Sequence, residues 1–152
     1  MKLLIFSDSH GNDAPMRSAL AAHPDADHVI HLGDGAAEAL RLAAEDSRPW
    51  SIVSGNCDYD RQLDTFDLVS FGGRRFYLTH GYRERVKSGL LNLALTARSR
   101  EADVALYGHT HIPATDFDNG ILLFNPGSIG AGLYGIITVR DGVVRSDHDR
   151  VR

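Results

Sequence analysis

Near its start the chain reads KLLIFSDSH (residues 2–10), a short unbroken apolar run followed at once by polar side chains. Such a run predicts a buried strand over residues 2–7, because strands covered on both faces lack the polar alternation of half-exposed ones. Asn12 or Asp13 can then cap a helix that has Pro15 in its first turn. The opening therefore predicts a strand, a polar loop and a helix.

The same order repeats along the first third of the chain. Apolar runs predict strands over residues 28–32 and 50–53, and residues 36–44 between them carry a helical apolar stripe of Ala36, Leu40 and Ala43. Strands that alternate with helices assemble through right-handed crossovers into a parallel arrangement. The first part of the chain is therefore expected to be α/β.

The rest of the chain predicts hairpins around one more helix. A Gly72-Gly73 turn joins strands at residues 66–71 and 75–79, a helix covers 86–98, and a strand covers 104–107. Asn119-Gly120 and Asp141-Gly142 are type I′ turn signals between apolar stretches. We expect one domain over residues 1–152, an α/β fold with mixed β-sheets in an α/β/β/α sandwich-like order and helices on the outer faces.

Composition limits the partners that the protein can have. The chain has 152 residues, 43% hydrophobic and 24% charged, and its net charge of −4 lacks the positive excess of a protein that binds long nucleic acids. No apolar run approaches the roughly 18 residues of a membrane helix. A lone cysteine, Cys57, suits a reducing compartment. We expect a cytoplasmic protein without a membrane partner, for which a small phosphorylated substrate fits more easily than a nucleic-acid polymer; the oligomeric state stays open.

Polar clusters follow five of the predicted strands. Ligands bind at the carboxyl ends of strands in open α/β sheets, so these side chains are expected to converge. Their carboxylate, amide and imidazole groups suit divalent cations, and one carboxylate can bridge two of them. The clusters contain Asp8 with His10, then Asp34, Asn56, His80, and His109 with His111.

Most of these clusters also have an ordinary structural explanation. Asp8, His10 and Asp34 could serve helix capping and loop hydrogen bonds, and Gly55-Asn56 is common turn chemistry. His80 alone could be a partly buried, hydrogen-bonded histidine, whereas His109-Thr110-His111 is hard to explain by packing. The segment 125–128, Asn-Pro-Gly-Ser, predicts a rigid turn that could support a site. The histidines outside the clusters are expected to be structural or solvent-exposed: His23, His28, His31 and His148.

In the order and placement of these residues the chain resembles the calcineurin-like metallophosphoesterases. Their pattern runs Asp-x-His, Gly-Asp, Gly-Asn-His-Asp or Glu, His, and Gly-His-x-His, and it matches positions 8 to 111. The short length and the Gly-Asn-Cys-Asp variant look like the compact bacterial and archaeal branch of the family, which also resembles the eukaryotic retromer subunit Vps29.

The resemblance implies a hydrolase that uses two divalent metal ions, most often Mn²⁺, to cleave a small phosphate diester by attack of a hydroxide shared between the metals. Ligand types alone would equally admit Zn²⁺, Fe or Ni²⁺. The resemblance also implies a ligand set: one metal on Asp8, His10 and His111, the other on Asn56, His80 and His109, and Asp34 between them. The catalytic residues that it implies are Asn56, His80, Cys57 and Asp58.

Cys57 departs from the larger relatives, which have at this position a histidine thought to protonate the leaving oxygen. A thiol of ordinary pKa, near 8.5, is mostly protonated at neutral pH and could donate, but it is poorly suited to orienting the substrate as well. Because general acid catalysis contributes roughly 10²- to 10⁴-fold, we expect a preference for good leaving groups.

Two rival functions are left open by the sequence. The fold could be a Vps29-like protein-binding scaffold whose metal pocket is structural, or a serine hydrolase that uses Ser7, Ser9 or Ser128, although no Gly-x-Ser-x-Gly elbow is present. Arg83 or Arg85 could reach a substrate, but a solvated charged loop also explains both.

Overall fold

The computed structural model describes residues 1–59 and 62–152, and its strands form two five-stranded sheets. The strands are β1 (Lys2–Phe6), β2 (His28–His31), β3 (Trp50–Ile52), β4 (Phe66–Phe71), β5 (Arg74–Thr79), β6 (Val104–Leu106), β7 (Ala114–Asp118), β8 (Ile121–Asn125), β9 (Leu133–Arg140) and β10 (Val143–Arg150). The helices are α1 (Ala14–Ala22), α2 (Ala36–Glu45) and α3 (Leu91–Ser99), with 3-10 turns at Val86–Ser88 and Ile129–Ala131.

Both sheets mix parallel and antiparallel pairs. The first has the order β10-β9-β1-β2-β3, in which β1 runs parallel to β2 and antiparallel to β9. The second has the order β4-β5-β6-β8-β7, in which β6 is parallel to both of its neighbours and the edge strands are antiparallel. The predicted α/β class with mixed sheets is confirmed.

The main core lies between the two sheets. It joins side chains from the first sheet, such as Ile5 and Ile137, to side chains from the second, such as Phe76, Leu106 and Phe124, and all five are fully buried. Smaller clusters cover the outer faces, where α1 and α2 pack on the first sheet and α3 packs on the second. The layer order is therefore helix, sheet, sheet, helix.

The predicted apolar stripe of α2 is wrong in one position. Leu40 is 37% exposed, whereas Ala39 and Leu42 are buried together with Ala36. Apolar residues that are three or four positions apart lie on the same face of a helix. The sequence pattern therefore allowed two different faces of α2 to be the buried one. The buried face is the one whose Leu42 joins the cluster on the outer side of the first sheet.

The helix predicted over residues 86–98 is also corrected. Its first part is the 3-10 turn, Gly89 follows with φ +130°, and α3 starts only at Leu91. A glycine with this φ adopts a conformation that a continuous helix cannot include, so the chain changes direction before α3. Leu91 and Leu95 are exposed as a result, and Leu93 faces the core.

Both predicted type I′ hairpins are present. Asn119 and Gly120 have φ values of 48° and 82°, and Asp141 and Gly142 have values of 51° and 75°. None of the helices in residues 1–59 and 62–152 is long and apolar enough to cross a membrane.

Truncating the two leucines of α2 tests the corrected packing. We expect Leu42→Ala to lower the free energy of unfolding by about 2–4 kcal/mol, because it opens a cavity under the helix. Leu40→Ala should lower it by less than about 1 kcal/mol. Urea unfolding followed by circular dichroism measures both, and equal losses would contradict the packing described here.

Candidate metal centre

Six of the seven side chains predicted as metal ligands lie in two groups where the strand ends of both sheets meet. Within each group, one nitrogen or carboxylate oxygen per residue lies within 4.8 Å of those of the other members. The first group consists of Asp8, His10 and His111, and the second consists of Asp34, His80 and His109.

The two groups are adjacent, and Asp34 Oδ2 lies between them. This oxygen is 3.2 Å from His80 Nε2 of its own group and 4.0 Å from His10 Nε2 of the other. Asp8 Oδ1 is 3.2 Å from His111 Nε2, 3.5 Å from His10 Nε2 and 3.8 Å from His80 Nε2. Donor atoms of both groups therefore point into one small volume.

Two of the donor atoms at the centre lack a hydrogen bond within the described part of the chain. Asp8 Oδ1 and His80 Nε2 are buried without such a bond, which costs roughly 1–3 kcal/mol for each group. His80 Nδ1 lies 2.8 Å from the Leu32 carbonyl oxygen, so Nδ1 carries the hydrogen and Nε2 presents a lone pair. A cation would satisfy both orphaned atoms, so the residues present fit metal ions.

The backbone is strained at the same residues. Among residues 1–59 and 62–152, nine non-glycine residues have positive φ, and five of them belong to the two ligand groups. These five are Asp8 (57°), His10 (47°), Asp34 (57°), His109 (71°) and His111 (65°). Left-handed conformations of this kind cost free energy and cluster at functional sites, where the surrounding structure holds them.

The side chains of the second group shift one another's pKa values. Burial opposes ionisation of Asp34, but the close contact with His80, the Cys57 N–H and the charge of His80 outweigh it and hold the pKa of Asp34 well below its usual range. Burial lowers the pKa of His80, but Asp34 and Asp8 raise it overall. Burial, followed by the charge of His80, lowers the pKa of His109.

Comparison with known proteins agrees with this geometry. The family model described as the calcineurin-like phosphoesterase superfamily domain matches residues 1–141. The chain belongs to this superfamily. It is 37% identical over 130 residues to the probable metallophosphoesterase YsnB of Bacillus subtilis, a match that covers 85% of this chain and 75% of the relative.

One further relative and one solved structure are similar to this chain over nearly its whole length. A phosphodiesterase of Methanocaldococcus jannaschii is 29% identical over 156 residues, covering 91% of this chain and 90% of that protein. The crystal structure of Vps29 with Zn²⁺ from Entamoeba histolytica superposes with a TM-score of 0.81 over the full length of both chains, at 18% identity, which shows the shared fold.

Asp58 lies behind the candidate ligand Asp34 and supports it. Its Oδ2 accepts hydrogen bonds from the backbone N–H groups of Asp34 and Gly55, both at 2.8 Å. Its Oδ1 accepts hydrogen bonds from the backbone N–H groups of Gly35 and Ala36, both at 3.0 Å. These contacts join the loops after β2 and β3 to the first turn of α2, so Asp58 acts as a positioning residue for Asp34.

The two residues before Asp58 lie at the surface of the site. The Cys57 backbone N–H donates to Asp34 Oδ1 at 2.8 Å, and partial burial, followed by the charge of Asp34, raises the pKa of its exposed thiol. Asn56 is exposed and lines the same cavity as His80, and its Nδ2 lies 3.6 Å from Cys57 Sγ. The ligand role of Asn56 and the catalytic roles of both residues stay predictions.

The buried serines do not form a nucleophilic triad. His31 Nδ1 accepts the Gly33 N–H at 3.1 Å, so His31 Nε2 carries the hydrogen that it donates to Ser9 Oγ at 3.0 Å. Ser9 Oγ then donates to Glu38 Oε2 at 2.9 Å. A general base must instead accept the hydrogen of the serine hydroxyl, so His31 Nε2 would have to carry no hydrogen.

Ser7 and Ser128 also support the first ligand group. Ser7 Oγ donates to Asp8 Oδ2 at 2.6 Å, and Ser128 Oγ donates to the Asp8 carbonyl oxygen at 2.8 Å. Both hydroxyls therefore hold Asp8, and the structure offers no support for a serine hydrolase.

The turn after β8 holds the loop of His109 and His111. Asn125 Nδ2 donates to the Gly108 carbonyl oxygen at 3.1 Å and to Thr110 Oγ1 at 2.9 Å, while its Oδ1 accepts the Gly127 N–H at 2.9 Å. Residues 125–128 therefore form a turn and also support the loop that carries the two histidines.

Glu38 is a functional residue that the sequence analysis missed. It is buried in the first turn of α2 and accepts hydrogen bonds from Ser9 Oγ and from the Gly11 N–H, on either side of His10. Its only sequence signal is a carboxylate at the start of a helix, which is common on solvent-facing helices.

The pH dependence of stability tests the buried network around His31. Burial lowers the pKa of His31 from 6.5 to about 4, so between these values the unfolded chain binds a proton that the folded chain excludes. We expect the free energy of unfolding to fall by about 3 kcal/mol from this residue as the pH drops from 6.5 to 4. Urea unfolding of metal-free wild-type protein and His31→Gln across this range isolates the effect.

The variant should have the shallower pH dependence, because glutamine does not titrate there. Parallel curves for the two proteins would contradict the assignment of His31 as a buried neutral histidine.

Proposed function

We propose that the protein is a dinuclear, metal-dependent phosphodiesterase that hydrolyses small phosphate diesters. The observation that carries the proposal is the position of Asp34 Oδ2, which faces histidine nitrogens of both ligand groups at 3.2 and 4.0 Å. Membership of the superfamily supports a phosphoesterase, and the archaeal relative named as a phosphodiesterase supports a diester substrate.

Asp8, His10 and His111 would hold one cation, and His80, His109 and Asn56 would hold the other, with Asp34 shared. Two bound divalent cations acidify a water that they share and neutralise charge on the phosphate oxygens. We propose Mn²⁺ because of the family resemblance; the mixed oxygen and nitrogen donors also suit Zn²⁺, Fe or Ni²⁺.

The chain itself positions the donors. Hydrogen bonds from the Cys57 N–H to Asp34 Oδ1 and from His80 Nδ1 to Leu32 O leave one lone pair of each side chain directed at the centre. Donors held in this way lose little side-chain entropy when a cation binds. His10 and His111 are 43% and 50% exposed, which leaves an open approach for the substrate.

The site has only a thiol, that of Cys57, in the position from which a leaving group would be protonated. The Cys57 thiol is exposed, and its raised pKa keeps it protonated near neutral pH, so it can donate a proton but cannot accept one. We therefore propose that aryl and phosphoanhydride oxygens leave more readily than alkyl oxygens. Action in the cytoplasm stays a prediction.

A protein-binding scaffold is the second candidate. It is favoured by the likeness to Vps29, whose structure shares the fold. All seven predicted ligands are present in this chain, whereas a scaffold without catalytic function would be free to lose them.

Metal removal and resupply test the proposal. Protein stripped of metal should not hydrolyse bis-p-nitrophenyl phosphate, and Mn²⁺ should restore the activity, which should exceed that toward p-nitrophenyl phosphate. Asp34→Asn should reduce the restored rate by at least about 100-fold, since even the hydrogen-bond partners of metal ligands are worth 10- to 100-fold. Asp116→Asn, an exposed change on β7 with the same charge difference, is the control and should retain activity.

Two outcomes would contradict the proposal. Turnover that resists chelators would indicate a different chemistry. Two bound ions per chain without turnover in the presence of Mn²⁺, Mg²⁺, Zn²⁺ or Ni²⁺ would favour the scaffold.

A further inference from the structure

A groove with unpaired arginines leads away from the second ligand group. It begins in a cavity of about 370 Å³ lined by Asn56 and His80, together with Tyr82 and Arg83. Arg83 and Thr65 also line a second cavity of about 400 Å³ that contains Arg100. The two cavities adjoin at Thr65 and Arg83, and together they are called the groove, which reaches from the proposed metal centre to Arg100.

The segment that borders this groove is basic although the chain is acidic overall. Residues 81–100 contain five lysines and arginines and a single acidic residue, Glu84, whereas the whole chain has a net charge of −4. A concentration of positive charge beside a phosphate-binding centre raises the local concentration of anionic ligands.

The two arginines in the groove form no ion pair with a carboxylate in the described part of the chain. Arg83 is exposed and makes no hydrogen bond or ion pair with the residues that the structure describes. Arg100 lies over the Phe66 ring, with its Cζ atom 4.7 Å from the ring centroid. A guanidinium stacked in this way keeps its N–H groups free for a phosphate, which it can bind through two parallel hydrogen bonds.

The two carboxylates that line the groove are already engaged. Both oxygens of Glu84, which is 7% exposed, lie within 2.9 Å of Thr79 Oγ1. Both oxygens of Asp58 accept backbone N–H groups. Among the described residues neither carboxylate forms an ion pair with Arg83 or Arg100, so both guanidinium groups keep N–H groups available for a ligand.

We propose that this groove binds a second phosphate group of the substrate, so that the preferred diesters carry a further phosphate on one ester arm. The inference rests on the proposed function, since it assumes that the scissile phosphate sits at the metal centre. Tyr82 adds a surface for a planar ring at the start of the groove, because its ring is 58% exposed and meets His109 only edge-on, at 5.6 Å and 89°. The matching chemical class is a phosphorylated nucleotide diester.

The test compares two substrates that differ only in the second phosphate. Thymidine 5′-(p-nitrophenyl phosphate) with and without a 3′-phosphate has the same leaving group, whose release is followed by absorbance. We expect kcat/KM of the Mn²⁺-loaded wild type to be about tenfold or more higher for the 3′-phosphorylated ester, the effect of one charge-assisted hydrogen bond. Arg83→Gln and Arg100→Gln should each remove most of this preference.

Arg98→Gln is the matched control, since Arg98 is an exposed arginine of α3 that does not line the groove. Arg98→Gln should keep the preference and should hydrolyse bis-p-nitrophenyl phosphate at the wild-type rate. Calorimetric binding of thymidine 3′,5′-bisphosphate and thymidine 5′-phosphate to the metal-free proteins gives a second readout. The bisphosphate should bind the wild type more tightly, and this difference should shrink in Arg83→Gln.

The outcomes separate this inference from the proposed function. If the metal-loaded wild type does not hydrolyse bis-p-nitrophenyl phosphate, the proposed phosphodiesterase function is refuted. Normal hydrolysis of that compound with equal kcat/KM for the two thymidine esters would overturn the second-phosphate site alone. An equal loss of preference in Arg98→Gln would also overturn it, by attributing the effect to net charge.

Discussion

The structure depends on the burial of two carboxylates at the ends of adjacent parallel strands. Asp8 follows β1 and Asp34 follows β2, and both are at most 4% exposed at the junction of the two sheets. Burying two like charges together is unfavourable unless each is paired or hydrogen-bonded. One oxygen of each is satisfied by neutral donors, and the other faces histidines across the junction. The layers that surround them maintain this arrangement.

Close packing of the loops is the second constraint. A Cβ atom at Gly33 would lie 2.5 Å from the Gly55 nitrogen, and one at Gly55 would lie 2.2 Å from Asp34 Oδ1. The glycines of the Gly-Asp and Gly-Asn motifs are therefore needed because the loops after β2 and β3 touch at the backbone. Asp58 then joins both loops through hydrogen bonds to their backbone N–H groups, which explains why an acidic residue ends the third cluster.

The sequence predicted the order of the strands along the chain, the hairpins and the polar side chains that converge at the strand ends, because each depends on local signals. Apolar runs, Asn-Gly and Asp-Gly turns, and polar residues after strands need no knowledge of distant contacts. The face of α2 depended on tertiary packing, which buries Leu42 and exposes Leu40. Glu38 could not be recognised because its role arises from Ser9 and Gly11, which reach it only in the folded chain. The start of α3 depended on the φ of Gly89, which no apolar pattern reveals.

The central claim is that one small volume holds two cations that share Asp34. Anomalous X-ray diffraction from crystals loaded with Mn²⁺ tests it most directly. The account predicts two peaks about 3.5–4 Å apart, the spacing of two-metal hydrolytic sites, with a carboxylate oxygen of Asp34 in coordination distance of both. A single peak in either ligand group, or two peaks of which Asp34 contacts only one, would contradict it.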